Sequence, residues 1–145
     1  MASIKIDNGL KTYDIENSEG VVRGQITINP KDINFFERAQ AMGKSIQDKL
    51  DDISKLPDTM SEVDVLKQLS IFDTEIKTEL NILFDDPHLC DVVFGNQNCL
   101  NTSGGVTFVE RFMNAIMPVI RKEFKTEAEK SSKRIEKYTS QVIDK

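Results

Sequence analysis

The sequence predicts an α+β fold, mostly helical, with an N-terminal three-stranded antiparallel meander followed by three main helices. Three features predict it. Apolar–polar alternation is confined to the first 28 residues, apolar residues then recur at steps of three and four, and a helix-start signal heads each periodic stretch. With 145 residues, 39% apolar and 30% charged, the chain has the makeup of one folded domain with one core. We read residues 1–124 as that domain and residues 125–145 as a polar helical extension.

The strands occupy residues 3–28. Ile4 and Ile6 alternate with polar neighbours, and Asn8-Gly9 is a hairpin signal because both residue types tolerate positive φ. Tyr13 and Ile15 continue the alternation, and Asn17-Ser18-Glu19-Gly20 makes a second turn. Val22, Gly24, Ile26 and Ile28 then share a face of the third strand. Such a small sheet needs a helix over its apolar side.

Asn29-Pro30-Lys31-Asp32 reads as a helix start, with Asn29 as cap and Pro30 at the first helical position. Ile33, Phe36, Ala39, Met42, Ile46, Leu50 and Ile53 form its stripe, giving a helix over about 30–55 that Leu56-Pro57 ends. Gly43 in its middle suits a close helix crossing. Ser61-Glu62-Val63-Asp64 resembles a capping box, and Val65, Leu66, Leu69, Phe72, Ile76, Leu80 and Leu83 mark a second helix over 61–84. For Leu89–Phe94, periodicity fits a short helix and a buried extended piece equally. Asn96 to Gly105 reads as a loop. Thr107-Phe108-Val109-Glu110 is a full capping box opening the third helix, over 107–124, which Pro118 should kink. Beyond it, only Ala128, Ile135, Tyr138, Val142 and Ile143 are apolar or aromatic. From Arg121 onward eight basic and five acidic residues leave a net of +3, against a total of -5.

The composition points away from several functions. An acidic chain without a clustered basic stretch in its body is a poor nucleic-acid binder. No apolar run nears the roughly 20 residues that span a bilayer. The start, Met1-Ala2-Ser3-Ile4-Lys5, lacks the layout of a signal peptide, so we expect a cytoplasmic protein. With His88 the sole histidine, two residues from Cys90, a triad-type enzyme is poorly supplied. Asp51-Asp52 and Asp85-Asp86 are carboxylate pairs at polar helix ends, where nothing raises a pKa for acid catalysis. His88, Cys90 and Cys99 offer three metal ligands, with Asp86 or Asp91 as a fourth, but the paired spacing of structural zinc sites is missing. The expectation is therefore a non-enzyme without cofactor or metal. From Phe108 to Phe124 the third helix carries more large apolar residues than one stripe can bury. We expect Phe112, Met113, Ile116 and Ile120 to line a partner groove or a contact between copies, with Met113 the most exposed.

The layout resembles a known family. A short strand region runs into Ile26-Thr27-Ile28-Asn29-Pro30-Lys31-Asp32-Ile33-Asn34-Phe35-Phe36-Glu37-Arg38. An acidic two-helix middle follows, then Val93-Phe94-Gly95, and last Phe108-Val109-Glu110-Arg111-Phe112-Met113-Asn114-Ala115-Ile116-Met117-Pro118-Val119-Ile120. This pattern is similar to the tail assembly chaperones of long-tailed, siphovirus-type phages and prophages. The resemblance covers most of the chain, rests on pattern, and carries over no active-site residues. It implies a helper in the host cytoplasm that binds the tape-measure protein, with the tail-tube subunit as a second partner, before the tube polymerises. Two other readings remain open: a minor tail or connector protein retained in the virion, and a small regulatory metal-binding protein built on His88, Cys90 and Cys99.

Overall fold

The computed structural model describes the backbone of residues 1–143 and the side chains through Arg134. The side chains of Ile135, Tyr138, Val142 and Ile143, the expected apolar points of the extension, lie outside the described residues. The fold is α+β with the order β1 (Lys11–Glu16), β2 (Val22–Ile28), α1 (Ile33–Ser54), α2 (Glu62–Leu83), α3 (Leu89–Phe94), β3 (Thr102–Ser103), β4 (Val106–Thr107) and α4 (Phe108–Ile143).

The expected meander is a two-stranded hairpin. β1 pairs antiparallel with β2, from Lys11 opposite Ile28 to Glu16 opposite Val22, with an irregularity at Ile15/Glu16. The Asn17 side chain closes the turn by accepting from the backbone N–H groups of Glu19 and Val21. Ile4 and Ile6 belong to no strand and are 90% and 81% exposed. The reason lies at Asn8-Gly9. A tight two-residue hairpin of type I′ needs positive φ at both residues, and here only Gly9 has it, at 76°. The side chains of Asp7 and Asn8 instead take the N–H groups of Gly9 and Leu10, and the Asn29 amide donates to the Asn8 carbonyl at 2.9 Å. These bonds turn the chain away from β1.

Within the hairpin, Ile26 and Ile28 are buried and Tyr13 and Ile15 half-buried on the core side. The outer face carries polar pairs, Thr12 with Thr27 and Gln25 with Asp14, each at 2.9 Å. Period-two alternation thus delivers one apolar face to the helices.

Helix α1 starts three residues later than expected. Asp32, not Asn29, caps it by accepting from the Asn34 N–H at 3.0 Å, because the Asn29 side chain is already engaged with Asn8 and Lys31. Phe35, Ala39, Met42 and Ile46 are buried, whereas Ile33 is 65% exposed. Phe36 is half-buried and stacks on Phe124 with ring centroids 4.6 Å apart. Helix α2 begins as expected, Ser61 accepting from the Asp64 N–H. Its C-terminal half supplies Ile76, Leu80 and Leu83 to the core, while Val63 and Leu66 near its start remain exposed. Ser45 and Lys49 of α1 both bond Glu79 of α2, holding the two helices together.

The segment left open by its periodicity is the short helix α3. The loop before α4 contains a minimal ladder, β3 with β4, closed by Gly104 and Gly105 at φ 61° and 80°. The capping box forms in full: the Thr107 hydroxyl accepts from the Glu110 N–H, and Glu110 Oε1 accepts from the Thr107 N–H, each at 3.2 Å. Thr107→Ala should therefore cost about 1 kcal/mol, within the usual 0.5–2 for a lost cap, read as a lower urea midpoint at unchanged slope. Helix α4 then runs unbroken past Pro118 and position 124 to Ile143, so the third helix and the extension are one element. The core gathers along it. Phe35 and Phe84, Phe84 and Phe112, Phe112 and Phe94, and Phe94 and Phe108 make a continuous chain of ring contacts, with centroids 4.8–6.0 Å apart.

Candidate docking groove

The four residues expected to meet a partner are all buried. Phe112, Met113, Ile116 and Ile120 are 7%, 8%, 8% and 0% exposed, and Met113 is no more open than Ile116. The surplus apolar surface of α4 is largely met within the fold, because α1 flanks it on one side and the β1–β2 hairpin and α3 on the other. Among the described residues, open depressions remain beside it, and two of them border the expected contact residues.

The larger encloses about 720 Å³ between the hairpin, α3 and α4. Ile26, Ile28, Phe108, Phe112 and Ile116 floor it. Ala115 and Val119 edge it from α4, both exposed, and Tyr13 and Ile15 form the β1 wall. The rim is charged, with Asp14 and Glu16 on β1, Arg23 on β2 and Arg111 on α4. The Arg111 guanidinium lies 4.9 Å from the centre of the Phe108 ring, within cation–π range. One polar atom stands out: the Tyr13 hydroxyl is buried without a hydrogen-bond partner among the described residues. The Lys11 ammonium, 5.4 Å from the Tyr13 ring centre, bonds Glu123 and ties the hairpin to α4. That hydrogen bond holds the Glu123 carboxyl below its usual range and the Lys11 ammonium above its own.

The smaller depression, about 500 Å³, lies between α1 and α4 over Ala39, Gly43, Ile46, Met113 and Met117. A Cβ placed on Gly43 would meet nothing within 4 Å, so the close crossing expected at this glycine is not made within the described residues. Of the four expected contact residues, Phe112 and Ile116 reach the larger groove, Met113 the smaller, and Ile120 neither. Sequence reasoning missed Arg111, Ala115 and Val119. Their i, i+4 spacing puts them on one ridge of α4, but without a known neighbour that ridge reads as solvated surface.

The possible metal ligands diverge. His88 is exposed and lies 3.7 Å from Asp91, also exposed, while Cys90 and Cys99 are free and buried. Each cysteine is set by its backbone N–H, Cys90 bonding the Asn81 side chain and Cys99 the Asp73 carboxylate. Among the described residues no group of three or more His, Cys, Asp or Glu side chains is placed to hold a metal ion. Burial pushes the Cys90 thiol up to about 12 and the Cys99 thiol higher still, where the Asp73 carboxylate adds to the effect. Thiolate is the reactive form, so both cysteines should react with a disulfide reagent only slowly near neutral pH. Denaturant should release both at once; rapid native reaction of either would contradict this burial.

Among the described residues no helix is long and apolar enough to cross a membrane. No protein-family model matches the chain, and comparisons with curated proteins and with solved structures give no match.

Proposed function

We propose that this protein is a tail assembly chaperone of a long-tailed phage or prophage, holding an apolar helical segment of the tape-measure protein in the groove between the hairpin and α4. The observation that carries the reading is the groove itself: an apolar floor flanked by charged rims of both signs. Such a site suits the helix-in-groove mode, in which apolar anchors at i, i+3 or i+4, and i+7 fill the floor. A tape measure is a long helical chain with apolar stripes, prone to aggregate until enclosed. Small proteins binding along it in the host cytoplasm keep it soluble until the tail tube polymerises, and tail-tube subunits are a second candidate for the same surface.

Co-expression tests the reading. A co-expressed tape-measure protein should become soluble and co-purify with the chain, and mature particles should lack the chain by mass spectrometry. Its presence in purified particles would favour a retained minor tail or connector protein instead.

A further inference from the structure

The N-terminal arm, Ser3-Ile4-Lys5-Ile6-Asp7, alternates like a strand yet pairs with nothing among the described residues, and its two isoleucines are among the most exposed large apolar side chains. Strand β1 has a complementary lack. Among the described residues its only ladder is with β2, so its outer edge is open beside the groove.

We infer that the arm of a second copy pairs antiparallel with this edge of β1, and that the exchange is reciprocal, giving a two-fold dimer. The side chains fix the register. With Lys5 opposite Asp14, Ile6 lies beside Tyr13 and Ile4 beside Ile15, so both isoleucines extend the apolar face of β1 over the groove. Lys5 then lies on the outer face against Asp14, with Glu16 diagonal to it, and directly opposed strand residues of opposite charge attract. A shift by one residue would turn both isoleucines outward and lose the charge match.

In the structure the chain's own arm does not take this place, because the bend at Asn8-Gly9 carries it away from β1. Folding back at Asn8-Gly9 would set Lys5 against Thr12 and Ile6 against Lys11. It would also require the bonds from Asn29, Asp7 and Asn8 that hold the bend to break. Gly9 is packed against Asn29, a Cβ on it falling 2.8 Å from the Asn29 amide nitrogen, so the root of the arm is held while its tip projects. A reciprocal exchange is self-complementary and closes as a pair without leaving a growing edge. The inference stands whether or not the groove also takes a tape-measure segment.

Sedimentation of the full chain across the micromolar range tests it. The expected result is a concentration-dependent dimer. Ile4→Asp with Ile6→Asp should weaken it by more than about a hundredfold, since each buried isoleucine is worth over tenfold; circular dichroism should be unchanged, because both residues are exposed. Lys5→Glu alone should weaken the dimer, and adding Asp14→Lys should restore it. A chain that stays monomeric throughout, a dimer indifferent to the arm substitutions, or a charge exchange that fails to restore association each overturns the inference.

Discussion

Phe112→Ala is expected to destabilise the domain by about 3 to 5 kcal/mol, the usual cost of emptying a buried aromatic site. Phe112 is 7% exposed and central to the aromatic chain, with ring centroids 5.8 Å from Phe84 and 6.0 Å from Phe94. Those neighbours come from the end of α2 and from α3, so its loss opens a void where three elements meet. Small domains are stable by only about 5–15 kcal/mol, so the variant should unfold at a much lower urea concentration at an unchanged slope. A loss below about 1 kcal/mol would show that Phe112 serves the groove rather than the core. Met113→Lys with Ile116→Gln should likewise unfold the domain. Both residues are 8% exposed, and polar groups placed there would unfold the protein before they informed on a partner.

The second large effect is on binding. Ala115→Glu with Val119→Glu should lower affinity for a tape-measure segment tens- to thousands-fold. Each substitution puts a carboxylate where an apolar anchor would be buried, and a buried apolar side chain is worth about 1.5–3 kcal/mol. The acidic residues Asp14 and Glu16 across the groove add repulsion. The fold should tolerate the change, since Ala115 is exposed, Val119 is 37% exposed and glutamate is a good helix former. The melting temperature should stay within a few degrees. Asn114→Glu, on the α1 side of the same helix turn, is the matched control and should leave binding intact. Equal loss in the control would move the site to the smaller depression.

What the sequence revealed, and what it hid, divides along a physical line. Local signals read through to structure: the Ser61 cap, the capping box at Thr107, the turn at Asn17, and the apolar stripe from Ile76 to Leu83 all form. Signals that depend on a distant partner did not. Asn8-Gly9 has hairpin chemistry, but the Asn29 amide captures the Asn8 carbonyl from 21 residues away and the arm leaves the sheet. The Asn29 oxygen accepts from the Lys31 N–H in a local turn, Asp32 caps α1 in its place, and Phe35 rather than Ile33 lies in the core. At the groove, apolar density singled out α4, but density alone cannot separate core from contact surface. Phe112 and Ile116 form the floor, and the residues open to a partner lie on the adjacent ridge of Arg111, Ala115 and Val119. That ridge carries meaning only once the hairpin stands opposite it.

Amide hydrogen exchange on the complex with the tape-measure protein tests the central claim most directly. Bound partner should slow exchange in β1 and at groove-lining amides between Phe108 and Val119 of α4, leaving the exposed start of α2 around Val63 and Leu66 unchanged. Protection confined to α2, or to α1 around Gly43, with β1 unaffected, would contradict the groove as the binding site.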